Sequence, residues 1–148
     1  MALLRGVLSF GAKNEEMVHL WKIFCRSVLE QSCVVWHSSL TQENRNNLER
    51  TQKTFCKLIL KEKYKDYSNA LIKLNLETLE ERRNMLSLKF AKAGLKNKTL
   101  TDLFPKQKKH DVIKTRKYEN YQVNFANTER LKNSSILYMQ NQLNNDGK

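Results

Sequence analysis

Cys33 and His37 are the first residues of this chain whose types and spacing suggest chemistry. They stand four apart in SVLEQSCVVWHSSL, residues 27–40. On a helix that spacing puts both side chains on one face, and an imidazole beside a thiol is a common way to activate a cysteine nucleophile. A working site also needs a group that orients the histidine and donors for an oxyanion, and the sequence offers no obvious candidate for either. The competing reading is a structural pair near a helix end, where a histidine is electrostatically favourable without any catalysis.

A second pattern is cationic. Arg50, Lys53, Lys57 and Lys61 recur at i, i+3, i+7 and i+11, so on a helix they form one stripe about three turns long. No acid interrupts the row. It is either a solvated face or an edge that tracks phosphates. A third pattern follows Pro105, where Lys106, Lys108, Lys109, Lys114, Arg116 and Lys117 alternate with polar residues and Tyr118, Tyr121 and Phe125 come soon after. Cations beside aromatics suit a nucleic-acid strand, through phosphate contact and base stacking. The same composition fits a solvated, disordered tail.

Several chemistries are missing. The sequence contains neither a P-loop nor a dinucleotide fingerprint. The four aspartates, Asp66, Asp102, Asp111 and Asp146, are isolated, so no carboxylate pair could hold two metals. The three cysteines form no CxxC pair and no zinc spacing, and their odd number fits a reducing, intracellular setting, nucleus or cytoplasm. The expectation is a non-catalytic chain that needs no cofactor and no metal. The N-terminal apolar run is too short for a signal peptide, and no run approaches the ~20 apolar residues of a membrane span.

Charge bounds the partners. With 27 Lys+Arg against 15 Asp+Glu the net charge is +12, which favours a polyanion. The surplus is spread, +7 over residues 1–97 and +5 over residues 98–148. At 148 residues the chain is long enough for one ordinary domain.

The elements that must carry these patterns are helices. Asn14 is a candidate N-cap, with Glu15 and Glu16 in the first turn. Met17, Trp21, Phe24, Cys25, Val28 and Ser32 then recur at three- and four-residue intervals, predicting one helix that runs on toward Trp36. Thr41 caps a second helix over about residues 42–62, with Leu48, Phe55 and Ile59 inward. A short helix at residues 67–74 turns Tyr67, Ala70, Leu71 and Leu74 inward. Thr78 and Glu81 form a capping box. The helix after it shows two apolar faces, Leu79/Leu86/Phe90/Ala93 and Met85/Leu88/Leu95, and an arginine, Arg83, within the first. Buried there, Arg83 needs a partner, with Glu80 or Glu30 as candidates. Gly94 and Asn97 offer a stop. Leu100 to Pro105 closes the bundle, and residues 127–143 form a last helix with Leu131, Ser135, Tyr138 and Leu143 in register. The expected architecture is all-α: a small helical bundle over residues 1–97, then a basic, partly ordered tail over residues 98–148.

Several stretches together resemble one family. LLRGVLSFGA, RSVLEQSCVVWHSSLTQENRNNLERTQKTFCKLIL, ALIKLNLETLEERRNMLSLKFAKAGLKN, LFPKQKKH and KYENYQVNFANTERLKNSSILYMQNQLN, in that order, resemble the carboxyl-terminal region of non-LTR retrotransposon reverse transcriptases of the jockey kind. The resemblance covers nearly the whole chain. It implies that residues 1–97 correspond to the helical thumb, which grips the template–primer duplex, and the remainder to the C-terminal extension. It makes SVLEQSCVVWHSS a thumb helix and its turn, with Val35 and Trp36 as packing residues. The aspartate motif of the family's palm is absent, so polymerase activity does not carry over, and the chain reads as a product of a truncated element or of a reading frame begun at an internal Met. The expected partner is RNA, an RNA–DNA hybrid or DNA, bound with low sequence specificity and without membrane. Two alternatives stand beside this: a helical protein-interaction module or a relic without function. The Met85/Leu88/Leu95 face, if exposed, predicts self-association.

Overall fold

The computed structural model describes residues 2–106 and 121–146. About 74% of them are helical and no strand occurs among them, so the fold class is all-α, as expected. The chain divides into two compact units: Met1–Cys33 with Leu40–Arg83, and Val34–Ser39 with Asn84–Lys148. The composition shift at residue 97 and the structural division after Arg83 are different places. Residues 84–97 continue the helical pattern in sequence, yet they pack with the segments that follow them.

In the first unit, α1 (Ala2–Ser9) buries Leu4 and ends in a turn through Gly11 at φ +87. Helix α2 (Asn14–Leu20) starts one position earlier than its sequence suggested. Lys13 occupies the cap position, and its backbone N–H donates to Glu16 Oε at 2.9 Å. A π-helical turn, Trp21–Arg26, and a last α-helical turn, α3 (Ser27–Glu30), continue it. This departs from the single regular helix expected. A π turn takes up an extra residue, which shifts the phase of everything after it. Met17 and Trp21 therefore stay buried, while Phe24 and Val28, expected on the same inward face, are 58% and 68% exposed. The chain then leaves the helix at Gln31 and turns through Ser32 at φ +52.

Helix α5 (Gln42–Leu60) follows α4 (Cys33–Trp36), which belongs largely to the second unit. Thr41 caps α5 as expected, accepting from the Asn44 N–H at 3.3 Å. Phe55 stacks on Trp21, centroids 4.4 Å apart and planes 15° from parallel, which adds about 0.5–1.5 kcal/mol beyond the burial itself. Helix α6 (Tyr67–Leu74), capped by Asp66, closes this core with Ala70, Leu71 and Leu74 buried and Tyr67 half-buried.

Helix α7 (Leu79–Gly94) opens with the anticipated capping box: Thr78 Oγ1 accepts from the Glu81 N–H, and the Glu81 carboxylate accepts from the Thr78 N–H. Its buried line was not anticipated. Leu79, Arg83, Ser87, Ala91 and Gly94 are buried, a line at four- and three-residue steps made largely of small and polar residues. Phe90 and Ala93, expected inward, are exposed. Leu88 and Leu95 pack instead into the core of the second unit, with Ala91, Phe104, Met139 and Leu143. Of the three residues expected to drive self-association, Met85 is exposed and Leu88 and Leu95 are half-buried.

The second unit also contains a 3-10 turn, Thr101–Leu103, that delivers Phe104 to the core. A Cβ built on Gly94 would lie 3.1 Å from the Phe104 ring. The expected last helix is two: α8 (Glu129–Lys132), capped by Thr128, and α9 (Ser135–Asp146). The break after Lys132 leaves Leu131 48% exposed, and Leu137, Met139 and Leu143 carry the packing. Asn144 holds the backbone of Tyr121 at both groups, accepting from its N–H at 2.9 Å and donating to its C=O at 3.0 Å.

Candidate nucleic-acid interface

Most of the cationic stripe is a property of α5. Arg50, Lys53 and Lys57 are exposed on the side opposite Phe55, Cys56 and Ile59. Lys61 is exposed but lies past the helix end, at φ +45. The expected ridge of four is thus three, with Lys61 on the turn beyond. That turn is built from KEKYKDY, residues 61–67, and it brings two tyrosines back toward the stripe. The Lys53 ammonium lies 5.1 Å from the Tyr67 ring centroid, and the Lys57 ammonium 5.5 Å from that of Tyr64. These contacts contribute about 0.5–1 kcal/mol each at exposed sites, and they restrain side chains that would otherwise be mobile.

Tyr67 is itself held by hydrogen bonds. Tyr67 donates its hydroxyl hydrogen to Glu49 and accepts from Gln52 Nε2 at 3.1 Å; Gln52 Nε2 also donates to the Glu77 carbonyl at 2.7 Å. Burial, reinforced by the Glu49 carboxylate, pushes the Tyr67 phenol well above its ordinary pKa. Glu49 further accepts from the Leu79 N–H at 3.2 Å. Its charge also acts on Arg83. That guanidinium is fully buried, burial lowers its pKa, and Glu49 is the first of the charges opposing the shift, followed by Glu80. Glu30 pairs elsewhere, with Arg26 and Arg82. Of the two residues the sequence named for Arg83, Glu80 is among the charges acting on it and itself pairs with Arg45 at 2.7 Å; the charge of Glu49, 34 positions away in sequence, was not anticipated.

Of the cations expected after residue 98, Lys106 is exposed and pairs as an isolated antiparallel bridge with Tyr121. Lys108, Lys109, Lys114, Arg116 and Lys117 lie outside the described residues, as does Tyr118.

Residues 27–40 are not one helix: the chain breaks at Ser32, before the pair; Cys33 opens α4 and His37 begins the 3-10 turn His37–Ser39 that follows it. Cys33 belongs to the first unit and His37 to the second. Both are buried. His37 Nε2 lies 2.6 Å from Asn84 Oδ1, which also accepts from the Tyr138 hydroxyl, and the His37 ring meets the Tyr138 ring edge-on. An amide oxygen only accepts, so with this side-chain orientation Nε2 carries the proton and serves as a donor.

Among the described residues, no group of three or more His, Cys, Asp or Glu side chains is placed to hold a metal ion, and no helix is long and apolar enough to cross a membrane. The sequence missed Tyr64 and Tyr67 as companions of the stripe. Their signal was cations interleaved with aromatics in KEKYKDY, the same pattern it singled out after Pro105. Comparison of the chain with protein families, with curated proteins and with solved structures gave no match.

Proposed function

We propose that this chain is a non-catalytic, nucleic-acid-binding helical fragment of the reverse-transcriptase C-terminal kind, which holds a template–primer duplex or RNA through basic helix faces. The observation that carries the reading is the acid-free, exposed row Arg50–Lys53–Lys57, two of whose ammonium groups rest on tyrosine rings. The net charge of +12 supports it, as does the family resemblance of the sequence. The test is fluorescence anisotropy of a labelled RNA–DNA hybrid over a salt series. Binding should weaken steeply with salt, and Lys53→Ala with Lys57→Ala should flatten the slope of log K against log salt by roughly one unit per lost contact. An unchanged slope removes the row from the interface.

A second reading, a protein-interaction module, is favoured by the exposed Phe24 and Val28 next to the π turn. It predicts weak nucleic-acid binding and an association that Phe24→Asp abolishes in sedimentation.

A further inference from the structure

The cationic row is also one wall of a cleft. Arg5 of α1 faces Thr54, Lys57 and Leu58 of α5 across a cavity of about 250 Å³, all within the first unit. The lining holds two cations and no acid. The Thr54 hydroxyl already donates to the Arg50 carbonyl at 2.9 Å, so the donors left for an anion are the Arg5 guanidinium and the Lys57 ammonium. The Lys57 ammonium also lies 5.5 Å from the Tyr64 ring centroid. A guanidinium presents a planar fork that matches phosphate oxygens two at a time, and an ammonium supplies a compact charge. A larger cleft of about 620 Å³ near Lys22, Lys63 and Lys73 is less suited. Glu15 lines it, and Lys73 Nζ donates to the Lys63 carbonyl at 3.3 Å.

We propose that Arg5 and Lys57 together form a phosphate subsite that receives one phosphodiester of a bound polynucleotide. The inference rests on the nucleic-acid reading above and extends it, because it recruits a second helix and turns a one-helix stripe into a two-walled groove. Lys57 belongs to both the row and the cleft, so the row and Arg5 meet at one side chain.

The experiment compares the full chain with Arg5→Ala, Arg5→Lys and Lys53→Ala, using a labelled RNA–DNA hybrid across a salt series, inorganic phosphate at constant ionic strength, and phosphatidylserine vesicles. Arg5→Ala should reduce the salt slope by about 0.9, the value of one phosphate contact. Arg5→Lys should restore the slope while leaving affinity several-fold below the parent, since charge returns without the fork. Arg5 is exposed, and tryptophan fluorescence melts establish that each variant is folded. Should Arg5→Ala fail to fold, the affinity deficit of Arg5→Lys decides. If Lys53→Ala lowers the slope and Arg5→Ala does not, the subsite is wrong and the broader function stands; if neither lowers it, both fall. Loss of inorganic phosphate binding, or of vesicle binding, in Arg5→Ala with hybrid affinity intact also overturns the proposal, in favour of a small-anion site or a membrane contact respectively.

Discussion

Glu49→Ala should be among the most damaging single changes in the first unit. Glu49 accepts hydrogen bonds from the Tyr67 hydroxyl and the Leu79 N–H, and its charge is the foremost one facing buried Arg83. Hydrogen bonds to a charged acceptor contribute about 1.5–3 kcal/mol each, and Glu49 is also the largest of the carboxylate charges that offset the burial of Arg83. These effects overlap in a single carboxylate, so about 3–5 kcal/mol is the expected loss, a large part of the ~5–15 kcal/mol available to a typical domain. Urea unfolding followed by Trp21 in a Trp36→Phe background reads the first unit, because Trp21 stacks on Phe55 in that core. With a slope of about 1–3 kcal/mol per molar, the midpoint should fall by more than 1 M. Arg83→Met added to Glu49→Gln should cost at least about 1 kcal/mol less than the two single changes together, because the buried charge that Glu49 offsets is then gone as well. A loss below about 1 kcal/mol for Glu49→Ala, or strict additivity in the cycle, would refute the assignment of Glu49 as the leading charge acting on Arg83.

Gly94→Ala should destabilise the second unit by about 1–2 kcal/mol, since overpacking against the buried Phe104 ring at 3.1 Å outweighs the gain in helix propensity; Phe104→Leu should recover part of that loss in a thermal melt. Burial pushes the Cys56 thiol up to about 11 from 9.0. Between those values the folded chain keeps a proton that the unfolded chain has lost, so stability is full below pH 9 and declines as pH rises toward 11. Urea midpoints at pH 8.5 and 10 should show that decline, and Cys56→Ala should lessen it. Alkylation at pH 8 should modify half-buried Cys25 well before Cys56.

What the sequence determined by itself is local. Thr41, Asp66 and the Thr78/Glu81 box start their helices as their types dictate, because a cap acts on backbone N–H groups two or three residues away. The inward positions of α6 and the exposed cations of α5 followed from periodicity alone. All-α character followed from the same signals. Tertiary structure decided the rest. The π turn rephased the first long helix, and the break at Ser32 ended it before Cys33. On α7 the buried line runs through Arg83, Ser87, Ala91 and Gly94, which hydropathy does not mark as interior. Glu49 carries the leading charge acting on Arg83, and the Phe104 ring occupies the space that a side chain at position 94 would take. Arg5 and Tyr64 join Lys57 only when helices and turns distant in sequence pack together. Periodicity measures what a residue prefers, and the identity of its neighbour is settled by the packing of the whole unit.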